Sequence, residues 1–397
     1  MAIKFAKRME RMQSSEIREL LKLTQKPEII SFAGGLPAPE LFPVAEIADV
    51  AKEIVEKEGK QVLQYAATEG RLSLREKIAK RMADKYKINV TPDEILITTG
   101  SQQCLDFAGK LFLDPGDYVL CESPSYLGAL NAFNTYEPKF AEVPTDEGGL
   151  IPEELDKILT ENNRCKFIYV IPDFQNPTGR TWSLERRKKF MEVINKHEIP
   201  VLEDNPYGEL RFEGEILPSL KSMDTKGLVM FLGTFSKIFC PGLRLGWVAA
   251  APKLLSEFVK IKQSADLHTS NFDQAVADAY IEKYDLDEHV EKIKALYKGR
   301  RDLIVKSMEK MFTSGTTWTH PQGGLFLWLT FPEGVSAKKV FNKCIEKNVA
   351  GVIGDAFYPN GKTDRNMRIN YSNMDDVRIV EGIKRMAEAI KEVTAEG

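Results

Sequence analysis

The chain has 397 residues, too many for one small core and enough for two domains, or for a large α/β domain with a smaller partner. It is 43% apolar and 28% charged with a net charge of −3, which gives no footing for nucleic acid, a strongly anionic membrane or a polycationic partner. Five scattered cysteines (Cys104, Cys121, Cys165, Cys240, Cys344) form no CxxC pair and four histidines no Cys/His cluster. A disulfide framework and a metal site are therefore not expected, and a reducing cytoplasm is.

The first 23 residues, MAIKFAKRMERMQSSEIRELLKL, are charged throughout and read as a short amphipathic helix without the apolar centre of a signal peptide. No later segment reaches the roughly 18 apolar residues of a membrane-spanning helix, so a soluble, unexported protein is expected. From about residue 95 to 250, short apolar runs alternate with amphipathic stretches. EILITTG precedes SQQCLDFAGKLFL, YVLCE follows a DPGD turn, and KFAEVP precedes IPEELDKILTEN. KFIYVIP then precedes SLERRKKFMEVINKHE, and IPVLEDN, LVMFLGTFS and LRLGWVAAA follow. Continuously apolar runs such as KFIYVIP fit strands buried on both faces. The alternation predicts a doubly wound, mostly parallel α/β sheet with ligands at the carboxyl ends of its strands.

After about residue 285 the pattern changes to a long charged helix, GGLFLWLTF, SAKKVFNKCIEKN, MRINYS and a final helix from Asp375, which together read as a smaller α+β unit. The expected division is an N-terminal segment, 1–35, packing on the small domain, a large domain, 36–285, and the small domain, 286–397.

Candidate chemistry collects at the predicted strand ends. In ITTGSQQCLDF (97–107), Gly100, Ser101 and Gln102 open a helix after a strand, an arrangement that cradles phosphate. Tyr126, in ESPSYLGAL, is an aromatic placed to stack on a planar ring. Asn176 follows KFIYVIP within a strong Asn-Pro-Thr-Gly turn. Asp204 and Tyr207 follow IPVL; Asp-Asn-Pro is itself a turn former, yet a partly buried carboxylate here suits a pyridine nitrogen and Tyr207 a phenolic oxygen. In GTFSKIFCPGLRLGW (233–247), Thr234, Ser236, Lys237 and Arg244 combine hydroxyls, an amine and a fixed cation, as a Schiff base beside a phosphate requires.

Taken together, Asn176-Pro-x-Gly, Asp204-x-x-Tyr207, Ser236-Lys237 and Arg244-x-Gly246 resemble the fold-type I pyridoxal phosphate aminotransferases in order and approximate spacing. FAGGLP (32–37), YAATEGRLSLREKIA (65–79), HPQGGLFLW (320–328) and MRINYS (367–372) extend the likeness over nearly the whole chain. FAGGLP and GSQQ look most like the subgroup of aminoadipate/kynurenine, lysine and broad-specificity aromatic or branched-chain aminotransferases. The resemblance implies pyridoxal 5′-phosphate on Lys237, which also shuttles the proton between substrate Cα and C4′. It implies Asp204 at the ring nitrogen, Asn176 and Tyr207 at the phenolic oxygen, and Tyr126 on the ring face. Gly100, Ser101, Gln102, Thr234, Ser236 and Arg244 would serve the phosphate, joined by Tyr65 from a second subunit of a homodimer. Arg368 would grip the substrate α-carboxylate, and Gly35 and Arg18 would border the substrate pocket. The implied reaction moves an amino group from an L-amino acid to a 2-oxo acid such as 2-oxoglutarate, with ping-pong kinetics.

Two other readings share these motifs. A β-lyase or decarboxylase would use the same cofactor residues, although a carboxylate clamp at Arg368 disfavours loss of that carboxylate. A transcriptional regulator with an aminotransferase-like effector module would need a winged helix-turn-helix ahead of it, and only about 30 residues precede FAGGLP. A plain nucleotide-binding domain lacks GxGxxG and GxxxxGK[ST].

Overall fold

The apolar runs between residues 95 and 249 form one eight-stranded sheet in the computed structural model, which describes residues 3–10, 28–313, 315–361 and 364–395. Strand β1 (Ile30–Ser31) comes first, then helices α1 (Val44–Val62) and α2 (Leu72–Tyr86). The chain next alternates through β2 (Ile95–Thr99), α3 (Ser101–Phe112), β3 (Tyr118–Ser123), α4 (Leu127–Asn134) and β4 (Lys139–Asp146). It continues with β5 (Gly149–Leu150), α5 (Pro152–Glu161), β6 (Cys165–Val170), α6 (Leu184–His197) and β7 (Val201–Asp204). β8 (Val229–Thr234) and β9 (Leu245–Ala249) complete the sheet.

The strand order is β2-β9-β8-β7-β6-β3-β4-β5. The pairs β3–β4, β3–β6, β6–β7 and β7–β8 are parallel, whereas β9 runs antiparallel to both β2 and β8. Every residue of β7, β8 and β9 is buried, which is why these segments read as unbroken apolar runs. Alternation along β6 sends Phe167 and Tyr169 into one apolar cluster with Phe107, Phe133 and Leu202, and Ile168 and Val170 into another with Phe190 and Ile194. Several α-helix starts carry a side-chain cap, as at α6, where the Ser183 hydroxyl accepts from the Arg186 N–H at 3.2 Å.

The remaining helices and strands form the second unit and its connection. They are α7 (Pro252–Ala265), α8 (Asn271–Lys283), α9 (Leu286–Met311), β10 (Thr317–Trp318) and β11 (Phe326–Thr330). After them come α10 (Ala337–Glu346), β12 (Val349–Ala350), β13 (Val352–Ile353), β14 (Asn366–Asn370) and α11 (Asp376–Ala395). β10, β11, β14 and β13 make an antiparallel sheet, so the α+β pattern seen after residue 285 holds. β1 pairs in parallel with β12, tying the segment ahead of FAGGLP to this second unit. Most of the amphipathic helix expected across residues 1–23 lies outside the described residues; within residues 3–10 there is a 3-10 turn at Lys7–Glu10. Among the described residues no helix is long and apolar enough to cross a membrane.

Candidate active site

Loops leaving the parallel strands converge at one sheet edge, where a cavity of about 340 Å³ opens. β2 runs into Gly100, whose φ of 73° suits a residue without a Cβ, and then into α3. A Cβ at Gly100 would lie 2.5 Å from Arg244 Nη2, and one at Gly246 would lie 2.6 Å from the Ser101 nitrogen. Both glycines therefore let the Arg244 loop close against the first turn of α3, whose leading N–H groups lack intrahelical partners. Beside that turn, Thr234 Oγ1 accepts from the Ser236 N–H and donates to the Leu245 carbonyl, each at 3.1 Å. Ser101, Gln102, Thr234, Ser236 and Arg244 all line the cavity; Gly100 backs Arg244 from just behind it.

Lys237 follows from β8. Its Nζ donates to the Gly35 carbonyl at 2.7 Å, and burial, helped by the charges of Arg244 and Arg368, pushes its pKa down to about 8. Asp204 closes β7 and is 3% exposed, and burial raises its carboxyl to about 7. The Tyr169 hydroxyl donates to Asp204 Oδ2 at 2.8 Å and opposes that rise, while Oδ1 is buried with no partner. Tyr207 and Asn176 lie together on the cavity wall, and burial raises the Tyr207 phenol. Tyr126 also lines the cavity.

Arg368 arrives from β14 of the second sheet. It donates from Nη1 to Asn176 Oδ1 and from Nη2 to the Ala33 carbonyl, both at 2.7 Å, and its Nε is buried without a partner. The guanidinium lies over the rings of Phe326 (4.2 Å) and Phe357 (5.0 Å), and burial lowers its pKa to about 10. Residues 32–37 thus cross the cavity on bonds from Arg368, Lys237 and Ser372, whose hydroxyl donates to the Leu36 carbonyl at 2.7 Å.

Most residues singled out in the sequence therefore meet in one place. Tyr65 does not: it is 79% exposed, packed edge-on against His268 at 5.9 Å, and contributes nothing to the cavity of its own chain. Arg18 lies outside the described residues. Sequence reading passed over Leu36, Leu127, Pro241 and Phe326, which supply apolar wall, and Tyr169 beneath Asp204. Phe326 sits inside the quoted HPQGGLFLW, whereas Tyr169 in KFIYVIP had no signal to separate it from core.

This edge-of-sheet site, with an amine, a buried carboxylate and a phosphate-sized cup of donors, defines a cofactor-dependent enzyme of amine chemistry. Residues 29–386 match the model for aminotransferase class I and II, and the chain belongs to that family. An aromatic-amino-acid aminotransferase of Thermococcus litoralis is 45% identical over 385 residues, 96% of this chain and 92% of its own. A 2-aminoadipate transaminase of Thermus thermophilus is 41% identical over 394 residues, 98% and 97% of the two chains. The crystal structure of Pyrococcus horikoshii kynurenine aminotransferase, in complex with PMP, superposes with a TM-score of 0.94 at 43% identity, covering 98% of this chain and 97% of that one. The protein is a pyridoxal phosphate-dependent transaminase of fold type I acting on amino and 2-oxo acids. The residues present fit that cofactor: Asp204, whose Oδ1 is a buried acceptor with no partner, lines a cavity that also holds an amine of lowered pKa and the donor cup.

Proposed function

We propose that this cavity is the transamination site and that Lys237 is its covalent anchor. One observation carries the proposal: Lys237, Asp204, Asn176, Tyr207, Arg244 and Arg368, drawn from separate strands and loops, line a single cavity. Bound pyridoxal phosphate supplies an electrophilic carbon for amines and a ring that takes up the electron pair left when the substrate Cα–H bond breaks.

The chain's own residues do the rest. Lys237 Nζ would hold the cofactor between turnovers and, as a free amine, would take the proton from the substrate Cα and hold it for return. A pKa near 8 leaves part of the amine uncharged around neutrality, as a general base requires. Asp204 Oδ1 keeps a proton on the ring nitrogen, Asn176 and Tyr207 donate to the phenolic oxygen, and Tyr126 stacks on the ring. Ser101, Gln102, Thr234, Ser236 and Arg244 hold the phosphate, with Gly100 admitting the close approach. Arg368 exchanges its Asn176 and Ala33 contacts for the substrate α-carboxylate, a planar fork that lysine lacks. Gly35 borders the pocket, and Arg18 is kept as a candidate for the same role.

Leu36, Leu127, Pro241 and Phe326 remain for the substrate side chain. Among the described residues the three cations lining the cavity, Lys237, Arg244 and Arg368, each already have a task. This supports a broad pocket for aromatic and branched-chain donors, extending to 2-aminoadipate-like ones, with 2-oxoglutarate as acceptor. The working assembly is a cytoplasmic homodimer in which Tyr65 reaches the neighbouring site, and 1–35, 36–285 and 286–397 serve as its N-terminal, large and small units. An amino-donor panel read by single-turnover absorbance tests the pocket: aromatic and branched-chain donors are expected to react, and reaction with acidic donors alone would contradict it.

A further inference from the structure

We propose that Tyr169 is a positioning residue for Asp204: its hydroxyl pins one carboxylate oxygen and thereby keeps the shared proton on the cofactor ring rather than on the carboxylate. The inference rests on the role given to Asp204 above.

Tyr169 lies next to the last residue of β6 with no exposed surface. It pairs with Leu202 across the parallel β6–β7 ladder, so Asp204, two residues further along β7, is its diagonal neighbour on the same sheet face. The ring is fixed edge-on against Phe133 at 5.7 Å, within an apolar cluster that a phenylalanine would fill as well. A buried hydroxyl is costly there unless it is bonded, and its bond goes to Asp204 Oδ2 at 2.8 Å. Among the described residues this is the one hydrogen bond the carboxylate receives; Oδ1 is buried without a partner, in a residue that lines the cavity.

That asymmetry has a chemical consequence. One proton lies between Oδ1 and the ring nitrogen, and it settles on the stronger base. Burial makes Asp204 a stronger base than an exposed carboxylate and so draws the proton from the ring. An O–H···O⁻ bond on Oδ2 favours the anion and weakens Oδ1 as a base. The ring keeps its proton, and with it the capacity to take up the Cα electron pair. The same bond occupies Oδ2, so that Oδ1 would be the oxygen free to pair with the ring nitrogen.

Tyr169→Phe removes the donor and leaves the ring packing. The measurement is the nitrogen NMR resonance of holoenzyme loaded with cofactor labelled at the ring nitrogen, taken without substrate, alongside the single-turnover rate. The resonance is expected to move towards that of an unprotonated pyridine, and the single-turnover rate to fall about tenfold, as for a shift of one pKa unit. Apparent substrate affinity is expected to stay constant. A wild-type resonance in Tyr169→Phe would overturn the proposal. Should that variant fail to fold or load, replacing Tyr169 with para-aminophenylalanine keeps a weaker donor in place. A partial move of the resonance then supports the proposal, and none overturns it. Asp204→Asn separates the two readings: if it too leaves the resonance unmoved, the role of Asp204 fails, whereas a move in Asp204→Asn alone removes only the part given to Tyr169.

Discussion

Arg368 and Asn176 stand 192 positions apart in the chain, and Nη1 of the arginine donates to Oδ1 of the asparagine at 2.7 Å across the gap between the two sheets. Asn176 lies in the loop between β6 and α6 and Arg368 lies within β14, so the bond couples the residue proposed for the cofactor's phenolic oxygen to the one proposed for the substrate carboxylate. Nη1 and Nη2 of the arginine each have a partner in the chain, Asn176 and the Ala33 carbonyl, while Nε has none, and the substrate carboxylate would compete for this fork.

Arg368→Lys keeps a charge and loses the planar fork and its stacking on Phe326. The expected outcome is a rise of about 10- to 100-fold in KM for the amino acid, the loss of one or two charge-assisted bonds, with cofactor affinity unchanged. Steady-state kinetics with one donor, beside a cofactor-binding titration, checks it; an unchanged KM would remove Arg368 from carboxylate binding.

The lowered pKa of Lys237 makes a prediction about stability. Between about 8 and the ordinary 10.5 the amine is neutral in the folded, cofactor-free chain and protonated in the unfolded one. Unfolding then takes up a proton, so this group's contribution to stability rises with pH across that window and is flat below it. Urea midpoints of cofactor-free protein should climb more steeply between about pH 8 and 10 than those of Lys237→Met. Parallel pH profiles for the two proteins would mean that the amine is not perturbed.

What could be read from the chain was whatever announces itself locally. Lys237, Asp204, Asn176 and Arg244 each follow or flank an apolar run, and the carboxyl ends of parallel strands are where such residues gather. The β2–β9 and β8–β9 antiparallel pairs were not legible, because continuous burial hides strand direction. Tyr169 was missed because a tyrosine in KFIYVIP looks like core; its partner Asp204 lies 35 residues away and is joined to it only through β6–β7 pairing. Helix α1 was not read either, although Val50, Ile54 and Val62 mark its buried face. Tyr65 illustrates a different limit: the motif around it suggests a cofactor role, while in its own chain it packs against His268 away from the cavity.

Tyr65, 79% exposed, shares a surface hollow with Leu63, 73% exposed. Cross-subunit complementation tests the proposed sharing. Tyr65→Ala and Lys237→Ala homodimers should each be impaired, whereas mixed dimers hold one site free of both substitutions and should regain part of the wild-type turnover. Mixtures no more active than the average of the two parents would place Tyr65 outside the neighbouring site.

The central claim is that Lys237 carries the cofactor and moves the proton. Its most direct test is the visible absorption spectrum of Lys237→Ala loaded with pyridoxal phosphate, followed through a single addition of an aromatic amino acid. Wild-type protein should be yellow and lose that band as the cofactor is converted to its amine form. The variant should lack the lysine-dependent band and show at least a roughly 100-fold slower conversion, the scale of a lost general base. A variant that keeps the wild-type band and rate would contradict the account.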